Sequence, residues 1–321
     1  MPITRRLVFM LFALFALPAC GGADSNEPAS GDPGNDERPG EGTPPTTDVN
    51  QLPLFVDTTE ARALIDSGAL VLDARSQSDW SAGHLPSAGN APWQTFVEGE
   101  QNGNLSDTGY VQQAMRTLGV SNNVPVLVYG AWTEGWGEEG RLYWTLDYMG
   151  HERVHILEGG LPAWQRAGGK TNTDAPSPAP GNFTAAPRQG RISTDELKAL
   201  IDAGESIIVL DNRRQEEYEG ATPYGAPRGG HIPGAIHLYW KDLITEEGLP
   251  SLSSLTQRLA LLGIDVERPQ VVITYCTGGV RSGFGYAVLR AIGHSDVRNY
   301  DGSWWAWSRN ESLPIERPSF E

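Results

Sequence analysis

The stretch Val271-Val272-Ile273-Thr274-Tyr275-Cys276-Thr277-Gly278-Gly279-Val280-Arg281-Ser282 decides how this chain is read. Its first five residues form a short, largely apolar and β-branched run, the pattern of a buried parallel strand. Beyond the loop, Phe284, Ala287, Val288 and Ala291 recur at helical spacing, and Gly293 reads as a helix stop. The order is strand, tight loop, helix. In open α/β sheets ligands bind beyond the carboxyl ends of the strands, which is where this order puts Cys276. Gly278 and Gly279 can take positive φ and turn backbone N–H groups inward. Such a cradle at a helix N-terminus favours negative charge by roughly 0.3–1 kcal/mol, so it lowers a thiol pKa and populates the nucleophilic thiolate. Arg281 adds a fixed positive charge and a planar donor fork. The alternative is a structural cysteine beside a turn, which would need neither the glycines nor the arginine.

The chain is duplicated around this motif. Asp57 with Glu60 and Ser193 with Glu196 have capping-box spacing, each before a helical pattern that ends at a glycine, Gly68 or Gly204. Leu70-Val71-Leu72-Asp73-Ala74-Arg75 matches Val209-Leu210-Asp211-Asn212-Arg213. Gly83-His84-Leu85-Pro86 matches Gly230-His231-Ile232-Pro233, and Gly150-His151 matches Gly293-His294. Short apolar strands alternate with helices in both halves, which predicts α/β domains, each a parallel sheet with helices on both faces. The halves part at the loop: Gly130 follows Val126-Leu127-Val128-Tyr129 where Cys276 follows Tyr275. The first loop is longer and holds Trp132, Glu134 and Trp136. Asp73–Arg75 and His84 recur in the half without a thiol, so Asp211–Arg213 and His231 are expected to be structural.

The loop Cys276–Arg281 resembles the active-site loop of the rhodanese sulfurtransferases, and the likeness to tandem rhodaneses runs from about residue 52 to 318. The string Tyr300-Asp301-Gly302-Ser303-Trp304 is similar to one in bacterial thiosulfate sulfurtransferases. The resemblance implies two tandem rhodanese-like domains, non-catalytic over 52–170 and catalytic over 188–318, with a proline-bearing linker over 171–187. It also implies that Cys276 takes a sulfane sulfur from a small anionic donor and passes it, as a persulfide, to a thiophile. Backbone N–H groups from Thr277 through Gly278, Gly279 and Val280 to Arg281 would hold that sulfur. Related phosphatases have a loop one residue longer, so the length favours sulfur over phosphate. Arg228 matches a donor-binding arginine of the mercaptopyruvate group, against the alternative of a solvated loop residue. Glu217 stands where animal relatives carry an arginine, and a carboxylate there would weaken anion binding. The reading is therefore a thiosulfate sulfurtransferase, with a 3-mercaptopyruvate sulfurtransferase or a non-enzymatic persulfide carrier as alternatives. No metal or organic cofactor is required, and no cluster has metal-ligand spacing.

The other of the chain's two cysteines, Cys20, belongs to a different signal. A basic start, an apolar run from Leu7 to Leu17 and the sequence Leu17-Pro18-Ala19-Cys20 resemble a lipoprotein signal peptide over 1–19. Cys20 is then the lipidated residue, and 20–51, rich in Gly, Pro, Ser, Thr and acids, is a tether. The expected location is extracytoplasmic, anchored to a bacterial membrane. An ordinary secretory signal is the alternative. The formal charge of −16 over 321 residues argues against nucleic acid as a partner.

Overall fold

The computed structural model describes residues 48–317 apart from 50, 98, 100 and 101. The leader, Cys20 and most of the tether lie outside the described residues. In the first half, β1 (Phe55–Val56), α1 (Thr58–Asp66), β2 (Leu70–Asp73), α2 (Gln77–Ala82) and β3 (Gly89–Asn90) are followed by α3 (Thr108–Thr117). Then come β4 (Val126–Tyr129), α4 (Glu138–Tyr148), β5 (Val154–Leu157) and α5 (Gly160–Arg166). The second half runs α6 (Thr194–Asp202), β6 (Ile207–Asp211), α7 (Gln215–Glu219), β7 (Ile236–His237), α8 (Leu252–Ala260), β8 (Val271–Tyr275), α9 (Val280–Ala291), β9 (Val297–Asn299) and α10 (Ser303–Arg309).

The two sheets are wholly parallel, in the orders β1-β5-β4-β2-β3 and β7-β6-β8-β9. Side chains alternate across a strand, so each continuous apolar run feeds two layers. Val126 and Val128 of β4 face one cluster with Val111 and Met115 of α3; Leu127 and Tyr129 face another with Ala61, Leu64 and Trp164. On β8, Val272 meets Leu255 and Leu259 of α8, while Ile273 and Tyr275 meet Leu197, Trp304 and Trp307. The expected capping boxes are present at α1 and α6.

Both halves contribute to one continuous core. Phe284 of α9 lies 5.9 Å from Phe55, 5.4 Å from Trp132 and 5.3 Å from Trp240, ring centre to ring centre. Each such pair adds about 0.5–1.5 kcal/mol beyond area burial. The helices α4 and α9 pack at backbone distance because Gly140 faces Phe284; a Cβ on Gly140 would stand 2.3 Å from the Phe284 Cα. The segment expected as a linker is pinned: Phe183 is fully buried and donates its N–H to the Val120 carbonyl at 3.1 Å.

Candidate active site

The strand β8 delivers Cys276 to the carboxyl edge of the second sheet, between β6 and β9. The residue is 1 % exposed. The loop is anchored from below: the Cys276 N–H donates to Ser303 Oγ at 3.1 Å, and the carbonyls of Cys276 and Thr277 accept from Trp304 N at 3.0 Å and Trp305 N at 2.9 Å. Gly279 caps α9 with φ +80, a conformation that suits glycine. Its carbonyl accepts from Asn299 Nδ2 and from Arg141 Nη1, both at 3.2 Å.

Burial alone pushes the Cys276 thiol up. The Arg281 charge, the N–H groups of Ser282 and Gly278 and the Ser282 hydroxyl outweigh it, leaving the thiol below its ordinary value of 9.0. Arg281 is itself clamped. Its Nη1 donates to Glu217 Oε2 at 2.6 Å, its Nη2 to Glu217 Oε1 at 3.0 Å and also to Thr277 Oγ1. Thr277 Oγ1 donates to Glu217 Oε1 at 2.7 Å. Burial would raise the Glu217 carboxyl, but Arg281, Thr277 and Arg213 hold it below the usual value of 4.5. The carboxylate expected to weaken anion binding is therefore the brace of the loop, and it offsets much of the Arg281 charge.

The thiol opens into a cavity of about 390 Å³. Thr277, Gly278, Val280 and Arg281 line its floor with Cys276, and Trp305 and Tyr224 line one side. The opposite wall belongs to the first half: Trp93, Trp136, Asp79 and Glu138, with Ala74 and Pro92. Trp136 meets Tyr224 edge-on at 5.6 Å and is 41 % exposed, whereas Trp132 is buried core and donates to the Thr245 carbonyl at 2.7 Å. Gly279 supports the loop from behind and does not line the cavity. Glu134 is exposed and also outside it.

Arg228 is not at the cavity either, and its expected place beside the donor is corrected here. Its guanidinium donates to the carbonyls of Ser308 at 2.8 Å, of Leu313 and Trp307 at 3.0 Å, and of Asn310. These carbonyls cluster at the C-terminal end of α10, which attracts a cation. The inserted segment before Gly230 supplies Tyr224 to the cavity in its place.

The first half repeats the scaffold without the chemistry. Arg75 and Arg213 each hold the preceding aspartate at 2.6 Å and a glycine carbonyl, Gly83 or Gly230, at 2.7 Å. His84 and His231 each bond a backbone carbonyl through Nδ1, at 2.8 Å from Trp80 and 2.9 Å from Tyr218. These pairs hold turns in both copies. At Gly130, however, a Cβ would lie 2.1 Å from Glu139 Oε2. Glu139 occupies the second position of α4, as Arg281 does in α9, so a buried carboxyl stands where the second loop has its cation. Burial and then Glu138 push the Glu139 carboxyl up to about 8.

One first-half residue reaches the second loop unannounced by any local pattern. Arg141 is fully buried, and besides Gly279 it bonds the Gly103 carbonyl at 2.6 Å. Burial lowers its pKa to about 10, with Asp301 and Cys276 acting to raise it, so it stays cationic beneath the thiol. Replacement Arg141→Met is expected to move the alkylation pH profile of Cys276 to higher pH and to cost about 1–3 kcal/mol of stability. Iodoacetamide kinetics and urea unfolding check the two parts; an unmoved profile would limit Arg141 to packing.

The described residues thus form a duplicated parallel α/β protein with one buried free thiol at a strand end. The model of the Rhodanese-like domain matches residues 57–167 and 193–310. The chain belongs to the rhodanese family and is a sulfurtransferase-type enzyme. It is similar to the thiosulfate sulfurtransferase of Azotobacter vinelandii, 30 % identical over 278 residues that cover 84 % of this chain and 99 % of that one. A sulfur carrier protein of Thermus thermophilus is 30 % identical over 252 residues, covering 74 % of this chain and 87 % of that protein. Among solved structures, the anaerobic ergothioneine biosynthesis enzyme from Chlorobium limicola, in complex with trimethyl histidine, shares the fold. Its TM-score is 0.74 at 21 % identity, with coverage of 82 % of this chain and 70 % of that one.

Proposed function

We propose that this chain moves a sulfane sulfur from thiosulfate to a thiophile, such as cyanide or a thiol, through a persulfide on Cys276. The observation that carries the reading is a buried thiol, lowered below its ordinary value, at the floor of a cavity walled by both halves. The Cys276 thiolate attacks the outer sulfur of thiosulfate. A new S–S bond forms, the sulfur–sulfur bond of the donor breaks, and sulfite leaves with the electron pair. The acceptor then attacks the outer sulfur of the persulfide, and Cys276 leaves as thiolate. Backbone N–H groups of the loop and Arg281 stabilise the bound charge; Thr277 and Glu217 hold Arg281 in place. The similarity to named thiosulfate sulfurtransferases supports the donor. The reading includes export and a lipid anchor on Cys20, which rests on residues 7–20.

The test is thiosulfate alone, followed by cyanide. Sulfite release and the mass of one added sulfur atom on Cys276 are expected first, thiocyanate second. No sulfite and no added mass would sink the thiosulfate reading; 3-mercaptopyruvate in the same assay tests the other donor. The likeness to a sulfur carrier favours a second reading, in which Cys276 docks sulfur for a protein partner. Many turnovers with small thiophiles would count against it.

A further inference from the structure

The cavity has two chemically different ends. At the floor, Arg281 stands nearest the thiol with its charge closed against Glu217. The outer wall carries the opposite sign. Asp79 and Glu138 both line it, and neither joins an ion pair among the described residues. Asp79 is exposed, near the N-terminal end of α2, and bonds the Ser76 hydroxyl at 2.6 Å. Glu138 caps the loop through the Trp136 N–H at 2.7 Å. Burial, and to a smaller degree the Asp79 charge, raises its carboxyl above 4.5.

Aromatic rings border the carboxylates, Trp93 on the same wall and Trp305 on the facing side. Trp93 and Trp305 line the cavity, and Trp136 already has Arg214 at 5.5 Å and Arg281 at 5.7 Å from its ring centre. Two cations stand nearby: Arg214 lies over Trp136 but outside the lining, and Lys241, whose Nζ donates to the Thr133 carbonyl at 2.6 Å, also feels the Glu138 charge. Two carboxylates that join no ion pair, lining a small cavity together with indole rings, make a surface that attracts a cation, and only Glu138 of the two has a lysine, Lys241, acting on it. Among acceptors of similar size the same surface favours a cation over an anion, whereas an anionic donor is held at the floor by the loop N–H groups and Arg281. A cavity of about 390 Å³ suits a small molecule.

We propose that the sulfur acceptor is a small cationic thiol, bearing an ammonium or quaternary ammonium group that Asp79, Glu138, Trp93 and Trp305 hold while its sulfur reaches Cys276. This deepens the persulfide reading above and rests on it. The acceptor thiolate forms a bond to the outer persulfide sulfur, the bond from that sulfur to Cys276 Sγ breaks, and the electron pair stays on Sγ. The product is a cationic hydropersulfide, and no oxidant or reductant enters.

The test charges the full chain with inorganic polysulfide, so that the acceptor step is read whatever the donor. Loss of the added sulfur is then followed with three thiols of equal reach: 2-(trimethylammonio)ethanethiol, 2-mercaptoethanol and 2-mercaptoethanesulfonate. Rates are expressed per thiolate present. The expected order is cation, neutral, anion, with about tenfold between the extremes. In Asp79→Asn with Glu138→Gln the span is expected to fall to about threefold or less. Asp79→Asn alone, at an exposed position, is expected to remove part of it and covers the case in which the double variant fails to fold. A sulfonate that matches or beats the ammonium thiol overturns the proposal, as does a preference that survives the variants. Sulfite release from thiosulfate is scored on the same protein. Its failure with the acceptor order intact would strike the donor and leave the cationic site standing, and a Cys276 that takes no sulfur from polysulfide overturns both.

Discussion

Cys276→Ser is expected to reduce sulfur transfer by at least about 10³-fold, the scale on which loss of a covalent nucleophile acts. Serine fills the same space but cannot hold a sulfane sulfur, and its hydroxyl is not ionised by this loop. Stability should stay within about 1 kcal/mol near neutral pH, because the anchoring bonds at this position are made by the backbone N–H and carbonyl. Thiocyanate formation and urea unfolding measure the two halves; transfer that persists in the serine variant would remove Cys276 from the mechanism. A pH dependence follows as well. The wild-type thiol lies below 9.0 in the folded chain, so between the folded and unfolded values the unfolded state binds more protons. Wild-type stability relative to the serine variant therefore rises with pH through that window, and the excess is lost as pH falls through the folded value. Alkylation of the wild type should rise through the same lowered midpoint. In Arg281→Met the midpoint should move up, since Arg281 is the largest factor opposing burial of the thiolate.

What the sequence made legible was local. The run Val271–Tyr275, the two glycines and the helical spacing from Phe284 specify strand, loop and helix through neighbouring residues; β8 has the expected bounds, and α9 ends at Ala291 but starts already at Val280, four residues before Phe284. The duplication was legible because Asp73–Arg75 and Asp211–Arg213 keep the same spacing to the Gly-His turns they hold. The cavity wall was not legible. Trp93, Asp79 and Glu138 share a cavity with Cys276, and Arg141 lies within its electrostatic reach, across an interface in which Gly140 and Gly283 let α4 and α9 approach, and nothing near them in the chain has the period of a site. Proximity in sequence misled in one case: Arg228 stands two residues before Gly230, but its donors are consumed by carbonyls some eighty residues later. The signal that was available at Tyr224 was the inserted segment itself, which has no counterpart in the first half.

Glu217→Ala should cost about 3–5 kcal/mol of stability, the range found when one partner of a buried ion pair is removed. The pair is well shielded: the Arg281 and Glu217 side chains are 4 % and 2 % exposed. Truncation leaves the guanidinium desolvated and without a carboxylate, and Thr277 Oγ1 loses its acceptor. Catalysis should fall with it, because an unclamped Arg281 no longer fixes the first turn of α9 beneath the loop. Glu217→Gln is a poor rescue, since its amide donors would face the Arg281 donors. The discriminating variant is Glu217→Ala with Arg281→Met. Removing both charges relieves the stranded cation, so the double variant should be more stable than the sum of the single losses by about 1–3 kcal/mol, yet remain slow because the thiol has lost its cation. If the carboxylate acted chiefly by repelling the donor, Glu217→Ala would instead transfer sulfur faster from thiosulfate at little cost in stability. The pH dependence separates the two further. Glu217 is held below its ordinary value when folded, so its contribution is present above the unfolded carboxyl value and lost as pH falls through the folded one. The stability gap between wild type and Glu217→Ala should therefore close on acidification, and urea midpoints across that range measure it. A gap that stays constant would mean that the loop is held by packing and backbone bonds, with the ion pair contributing nothing.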